Sequence, residues 1–201
     1  MAATQRVTIH MSPDLVLRVS STARSYREAE KTWRRISLES ATTSAQKKSI
    51  RIEAELRRPI EWPTEDHLAE ACLRGRMAQP DLAQDWQPLT EEERVALTLP
   101  GMWPGSERPD EDFTAAFACT LDYDLVWQAR TAAWRISEPW IKAILAEGLG
   151  NLRGLSPEQR ERRQALGAHV ITFGAIVRQG IKKHWPTKSV TLFSVETAKE
   201  A

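Results

Sequence analysis

Between Phe113 and Gly148 the hydrophobic period changes, and that change limits what the chain can fold into. Phe117, Cys119 and Leu121 alternate with other residues, the period of a strand with one buried face. From Tyr123 to Trp134 the apolar residues include Val126, Ala129 and Ala133, the spacing of one helix face. Arg135-Ile136-Ser137 then reads as a tight turn. Glu138–Glu147 reads as a second helix that points Ile141, Ile144 and Leu145 inward, and Gly148 and Gly150 stop it. Helix, turn and helix is the local pattern with a mechanism attached, and the other segments are placed around it.

Composition narrows the class. With 201 residues, 41% hydrophobic and 27% charged, the chain has the length of one large domain or two small ones. The first residues, MAATQRVTIHM, lack the apolar run of a signal peptide, and no apolar run is long enough to make a membrane helix. Cys72 and Cys119 lie far apart and form no CxxC pair, which fits buried thiols in a reducing compartment, so a cytoplasmic location is expected. Eight tryptophans supply large side chains for a core between helices or for contacts with other proteins. Net charge is only +1, but it is unevenly spread. Residues 1–58 carry 12 basic against 6 acidic side chains, residues 59–112 carry 4 against 13, and residues 113–201 carry 12 against 8. Two basic segments flank an acidic one. They can meet nucleic-acid phosphates or pair with the acidic middle.

Along the chain, Val7, Ile9 and Met11 alternate with Arg6, Thr8 and His10 as a short strand. Ser12-Pro13-Asp14 supplies a cap, a first-turn proline and a first-turn acid. The long helix that follows has a seam at Leu15, Val19, Thr22, Tyr26, Ala29, Trp33 and Ile36, suited to packing on another helix in the same chain or in a partner. Ser37–Ser49 reads as a loop or frayed helix end. Ile50–Leu56 fits either a second strand or a helix, ended by Pro59. Thr64 caps a short helix to about Met77 that buries Leu68, Ala71 and Cys72, with Asp66, His67 and Glu70 sharing part of a face. Gln79–Pro88 is a loop, Thr90-Glu91-Glu92-Glu93 a capping box, and residues 100–112 a linker or long loop between regions 1–99 and 113–201. Ser156-Pro157-Glu158-Gln159 opens one apolar helix, with Leu166, Val170, Phe173, Val177 and Ile181 on a seam wide enough to serve as core or dimer interface. Residues 190–195 alternate as a last strand that can pair with the first.

Two resemblances attach to these residues. Val126–Glu147, with Thr131 or Ala132 at the crossing, Ile136 in the turn and Ser137 as cap, resembles the helix-turn-helix of bacterial DNA-binding regulators, with Arg135 where that family usually has glycine. The resemblance implies that the second helix enters the major groove with Glu138, Trp140, Lys142 and Ala143 facing outward, that Ser137 at its cap is among the DNA-binding residues, and that Arg130, Arg135 and Arg153 hold phosphates. Strand-then-capped-helix, at residues 5–25 and again from Phe117, resembles the opening of ribbon-helix-helix proteins. There a dimer pairs two such strands, and the outward residues, here Arg6, Thr8 and His10, enter the major groove.

No chemistry of another kind is legible. The four histidines and two cysteines show no metal-ligand spacing, and the chain lacks GxxxxGK[ST], GxGxxG after a strand, GxSxG and HExxH. The sequence therefore predicts a mainly α fold with a few short strands: a long N-terminal helix, a helix-turn-helix-like hairpin and an apolar C-terminal helix. No cofactor, metal or catalytic residue is expected, and no membrane. The expected function is double-stranded DNA binding as a homodimer, by a regulator or an accessory factor of a mobile element. The alternative is a non-catalytic structural subunit of a larger protein or nucleoprotein assembly, bound to other protein subunits.

Overall fold

The period-two run near the N-terminus forms strand β1, Thr4–Met11, in the computed structural model, which describes residues 3–98, 113–151 and 153–186. β1 pairs antiparallel with β2, Ala115–Asp122, placing Val7 opposite Cys119 and Ile9 opposite Phe117. The rest of the described chain is helical: α1 Pro13–Glu39, α2 Ser44–Glu61, α3 Glu65–Met77, α4 Glu91–Thr98, α5 Tyr123–Ala146, α6 Pro157–Gly167 and α7 Phe173–His184. The fold is thus mainly α with one small antiparallel sheet, as the periodicity predicts.

The same unit is built twice. Each strand ends in a helix N-cap, Ser12 or Asp122, and runs directly into a long helix, α1 or α5. Aligning Asp14 with Asp124 superimposes the two patterns, and the triplet Asp14-Leu15-Val16 recurs as Asp124-Leu125-Val126. The buried positions also match: Val7, Ile9, Met11, Leu15, Val19 and Ala23 against Phe117, Cys119, Leu121, Leu125, Ala129 and Ala133. Because the strands are antiparallel, the two helices leave from opposite ends of the ribbon.

These faces meet in one main core, closed by Cys72 and Leu73 of α3 and by Ile176, Val177 and Ile181 of α7. The core draws on both sides of residues 100–112, which lie outside the described residues, as does the strand expected at 190–195. α3 and α7 approach so closely that a Cβ on Gly180 would stand 2.8 Å from the Cys72 carbonyl oxygen. Ile141, Ile144, Leu149, Leu166 and Val170 form a second cluster under the far end of α5.

Several expected boundaries move. The stretch 37–49 is a helix end and a loop only as far as residue 43: α1 runs to Glu39, and Thr43 and Gln46 form a capping box that starts α2. Residues 50–56 are therefore helix and not strand, and Pro59 lies inside that helix instead of ending it. Arg58 holds the pair of helices together, reaching Glu30 of α1 at 2.8 Å. Of the α1 seam, Leu15 and Val19 are buried and Tyr26, Ala29 and Trp33 half-buried, but Ile36 is exposed. In α3 the buried alanine is Ala69, and Ala71 faces outward. The apolar helix after Ser156 is two helices, because Thr172 caps a new start by accepting from the Ala175 N–H. Most consequentially, the turn at Arg135–Ser137 does not form. α5 is continuous from Tyr123 to Ala146 with Pro139 inside it, and the left-handed Gly148 (φ 68°) follows its end.

Candidate nucleic-acid interface

The candidate surface is the outer face of the ribbon. Alternation puts Val7, Ile9 and Met11 into the core and leaves Arg6, Thr8 and His10 exposed in a row. The register places them opposite Thr120, Ala118 and Ala116, so the β2 half of the face is low and nearly featureless. α3 lies along the β2 edge: the Asp66 carboxylate accepts from the Thr120 N–H at 2.9 Å and Glu70 from the Asp122 N–H at 3.3 Å. His67, between them in sequence, takes part through Nδ1 in the capping of Thr64. The shared face of Asp66, His67 and Glu70 thus serves the architecture of the ribbon edge. Among the described residues no group of three His, Cys, Asp or Glu is placed to hold a metal ion. From below, the nearly buried Arg178 donates to the His10 carbonyl at 2.8 Å and sets its guanidinium over the Phe113 ring.

The residues expected on the helix-turn-helix segment separate. Arg130 lies half-buried between the rings of Trp127 and Phe173, and burial lowers its pKa. Arg135 is held by Glu93 of α4 and by Glu138, with its Nε donating to the Gln87 carbonyl. Ser137 is fully buried. Its hydroxyl donates to the Ile171 carbonyl at 2.9 Å and accepts from the Ile171 N–H at 2.8 Å. Glu138 pairs with Lys142 and with Arg135, and both cations hold its carboxyl below the ordinary range. Lys142 and Arg153 are exposed, the first on α5 and the second in the turn after it. Trp140 stacks on His169 at 4.1 Å. These side chains do not make one face toward a ligand. Arg135, Ser137 and Trp140 bind α4, the 87–88 segment and residues 169 and 171 to α5.

A second basic surface follows α1, and the sequence shows it only as the basic excess of residues 1–58. Arg24, Arg27, Lys31 and Arg35 follow one outward line along α1, all exposed. Among the described residues, Lys31 alone of the four has an ion-pair partner, Glu28. Lys47, Lys48 and Arg51 add exposed charge at the start of α2, near the turn that joins the two helices. The signal that could have found this surface is the i, i+3, i+7, i+11 spacing of the four α1 cations.

Compared with protein-family models, curated protein sequences and solved structures, the chain matches none. The functional argument therefore rests on its own geometry. Among the described residues no helix is long and apolar enough to cross a membrane.

Proposed function

We propose that the protein binds double-stranded DNA through the outer face of the β1–β2 ribbon, as a regulator or an accessory factor of a mobile element. The observation that carries this reading is the exposed row Arg6, Thr8 and His10 on a two-stranded antiparallel ribbon. A major groove about 12 Å wide admits such a ribbon. A guanidinium donates bidentately to guanine, a threonine hydroxyl donates or accepts, and alanine methyls such as those of Ala116 and Ala118 suit thymine methyls. The small β2 residues let the backbone come near the base edges. The twofold strand–helix unit supports the same reading. Ribbon-helix-helix proteins make a paired ribbon from two chains, whereas here one chain supplies both strands. The difference is that α1 and α5 continue without the early turn of that pattern. The line of cations on α1 supplies attraction to phosphates.

The test is anisotropy titration of a labelled duplex recovered by selection from a random pool, over a range of salt. Arg6→Ala is expected to weaken binding about 10-fold or more, the loss of one bidentate base contact. The triple change Arg24→Ala, Arg27→Ala, Arg35→Ala is expected to flatten the log–log salt dependence by roughly 2–3. Absence of duplex binding at low salt, or identical affinities of Arg6→Ala, His10→Ala and the parent chain, refutes the reading. A second reading, a non-catalytic subunit of a larger assembly, is favoured by the use of Arg130 and Arg135 inside the fold and by the apolar residues left exposed on α2.

A further inference from the structure

Helix α2 has two faces of different kinds. Its inner face rests on α1, where Ala54 is fully buried and Arg58 reaches Glu30. On its outer face Ile52, Leu56 and Ile60 follow one another at intervals of four and are 53%, 71% and 84% exposed. Single exposed apolar residues are ordinary on protein surfaces, whereas a row over three successive turns is not.

We propose that this row is a self-association surface on which a second copy of the chain packs antiparallel, α2 against α2. Two features select a second copy in that orientation. The row is symmetric about Leu56: a two-fold axis through that residue puts Leu56 on its own counterpart and Ile52 on Ile60, so the patch complements itself. The charges are also polarised along the helix. Its first half carries Lys47, Lys48 and Arg51 and no acid, and all of its acids, Glu53, Glu55 and Glu61, lie in the second half with Arg57 and Arg58. With the axis through Leu56 the two helices overlap over residues 51–61, so antiparallel pairing sets Arg51 of each copy level with Glu61 of the other, whereas parallel pairing sets every cation level with its own counterpart. On the flank shared with Ile60, Glu53 of one copy comes close to the level of Arg57 of the other. The overlap of 11 residues is about 16 Å long, so one helix pair is at the small end of specific interfaces and the association is concentration-dependent. The resulting dimer differs from one that pairs strands, since each chain already holds a complete ribbon. It carries two ribbons, and the inference does not depend on what those ribbons bind.

The experiment is sedimentation velocity of the full chain over a roughly hundredfold concentration range, with two single-cysteine additions read by mild oxidation. The parent chain should pass from monomer to dimer, and Leu56→Glu should move the midpoint at least about 10-fold upward with unchanged helical circular dichroism. Leu56→Cys should form a disulfide-linked dimer. Ile60→Cys should not, because its own counterpart lies about 12 Å away along the helix. A monomer at every concentration refutes the surface. Equal cross-linking at both positions refutes the antiparallel arrangement.

Discussion

Replacing Arg135 by alanine tests whether this residue is a strut, and the size of the effect follows from its contacts. The guanidinium donates to both Glu93 oxygens at 2.7 and 2.9 Å, to Glu138 at 3.1 Å, and to the Gln87 and Pro88 carbonyls at 3.0 and 2.8 Å. The arginine and Glu93 side chains are 13% and 20% exposed. Hydrogen bonding from Arg135 is the main reason that the Glu93 carboxyl is held at about 2 against an ordinary 4.5. That shift taken alone corresponds to roughly 3 kcal/mol. Partial solvent screening reduces it, and the lost carbonyl partners lie near water, so Arg135→Ala should cost about 2–3 kcal/mol. For a chain of this length the melting temperature should fall by about 5–10 °C. Arg135→Lys keeps the charge but not the fork, and should recover less than half of that loss.

The pH dependence has a defined sign. Because the folded pKa of Glu93 is depressed, its contribution is complete above the unfolded value of 4.5 and disappears as pH falls toward 2. The stability gap between the parent chain and Arg135→Ala, measured by urea titration with tryptophan fluorescence, should close across that interval. A melting shift below about 2 °C at neutral pH, or a gap that stays constant down to pH 3, refutes the strut. Duplex binding by Arg135→Ala, measured well below its melting temperature, should equal that of the parent chain.

Other consequences are as direct. Gly180→Ala should destabilise by about 1–3 kcal/mol in chemical denaturation despite alanine's better helix propensity, because the new methyl meets backbone of α3. Ser137→Ala should cost about 1–3 kcal/mol by the same measurement, since it strands both polar groups of Ile171. Burial pushes the Cys72 thiol up to about 11 and the Cys119 thiol up to about 12, so neither should react with an aromatic disulfide reagent at pH 8 until denaturant is added.

What was legible in the sequence was local. The strand at Val7–Met11, the starts at Ser12, Thr64, Thr90 and Ser156, and the strand at Phe117–Leu121 are all set by a period or by a cap within a single turn of helix. The misplaced features depend on distant partners. Nothing within 135–137 shows that Glu93 and Ile171 will hold those residues in a helix, so the short stretch between two helical patterns reads as a turn. Pro139 removes one helical N–H, a cost of about 3 kcal/mol in an unsupported helix interior, and the anchors on either side of it oppose that cost. At the other boundaries the signal existed but was outweighed: Thr43 and Gln46 are a capping box inside a stretch whose composition suggests loop, and Thr172 is a cap inside an apolar run. Arg6, Thr8 and His10 were legible as an outward row because alternation alone decides which face they take. The repeated strand–helix unit was legible as a pattern, at residues 5–25 and again from Phe117, although Asp-Leu-Val is the only run of identical residues within it.

The pairing of β1 with β2 has a consequence for how the protein is made. β1 leaves the ribosome first, but its hydrogen-bonding partner begins only at Ala115, and Arg178, which donates to the His10 carbonyl, comes later still. At roughly 5–20 residues per second the strand waits about 5–20 s with Val7, Ile9 and Met11 uncovered. The helices α1 and α2, joined across a short turn, have no such delay and can close on one another while synthesis continues. The outer row of Arg6, Thr8 and His10 therefore becomes a surface only once β2, and then Arg178, have been made, and a product terminated before Ala115 would carry the basic helices without it.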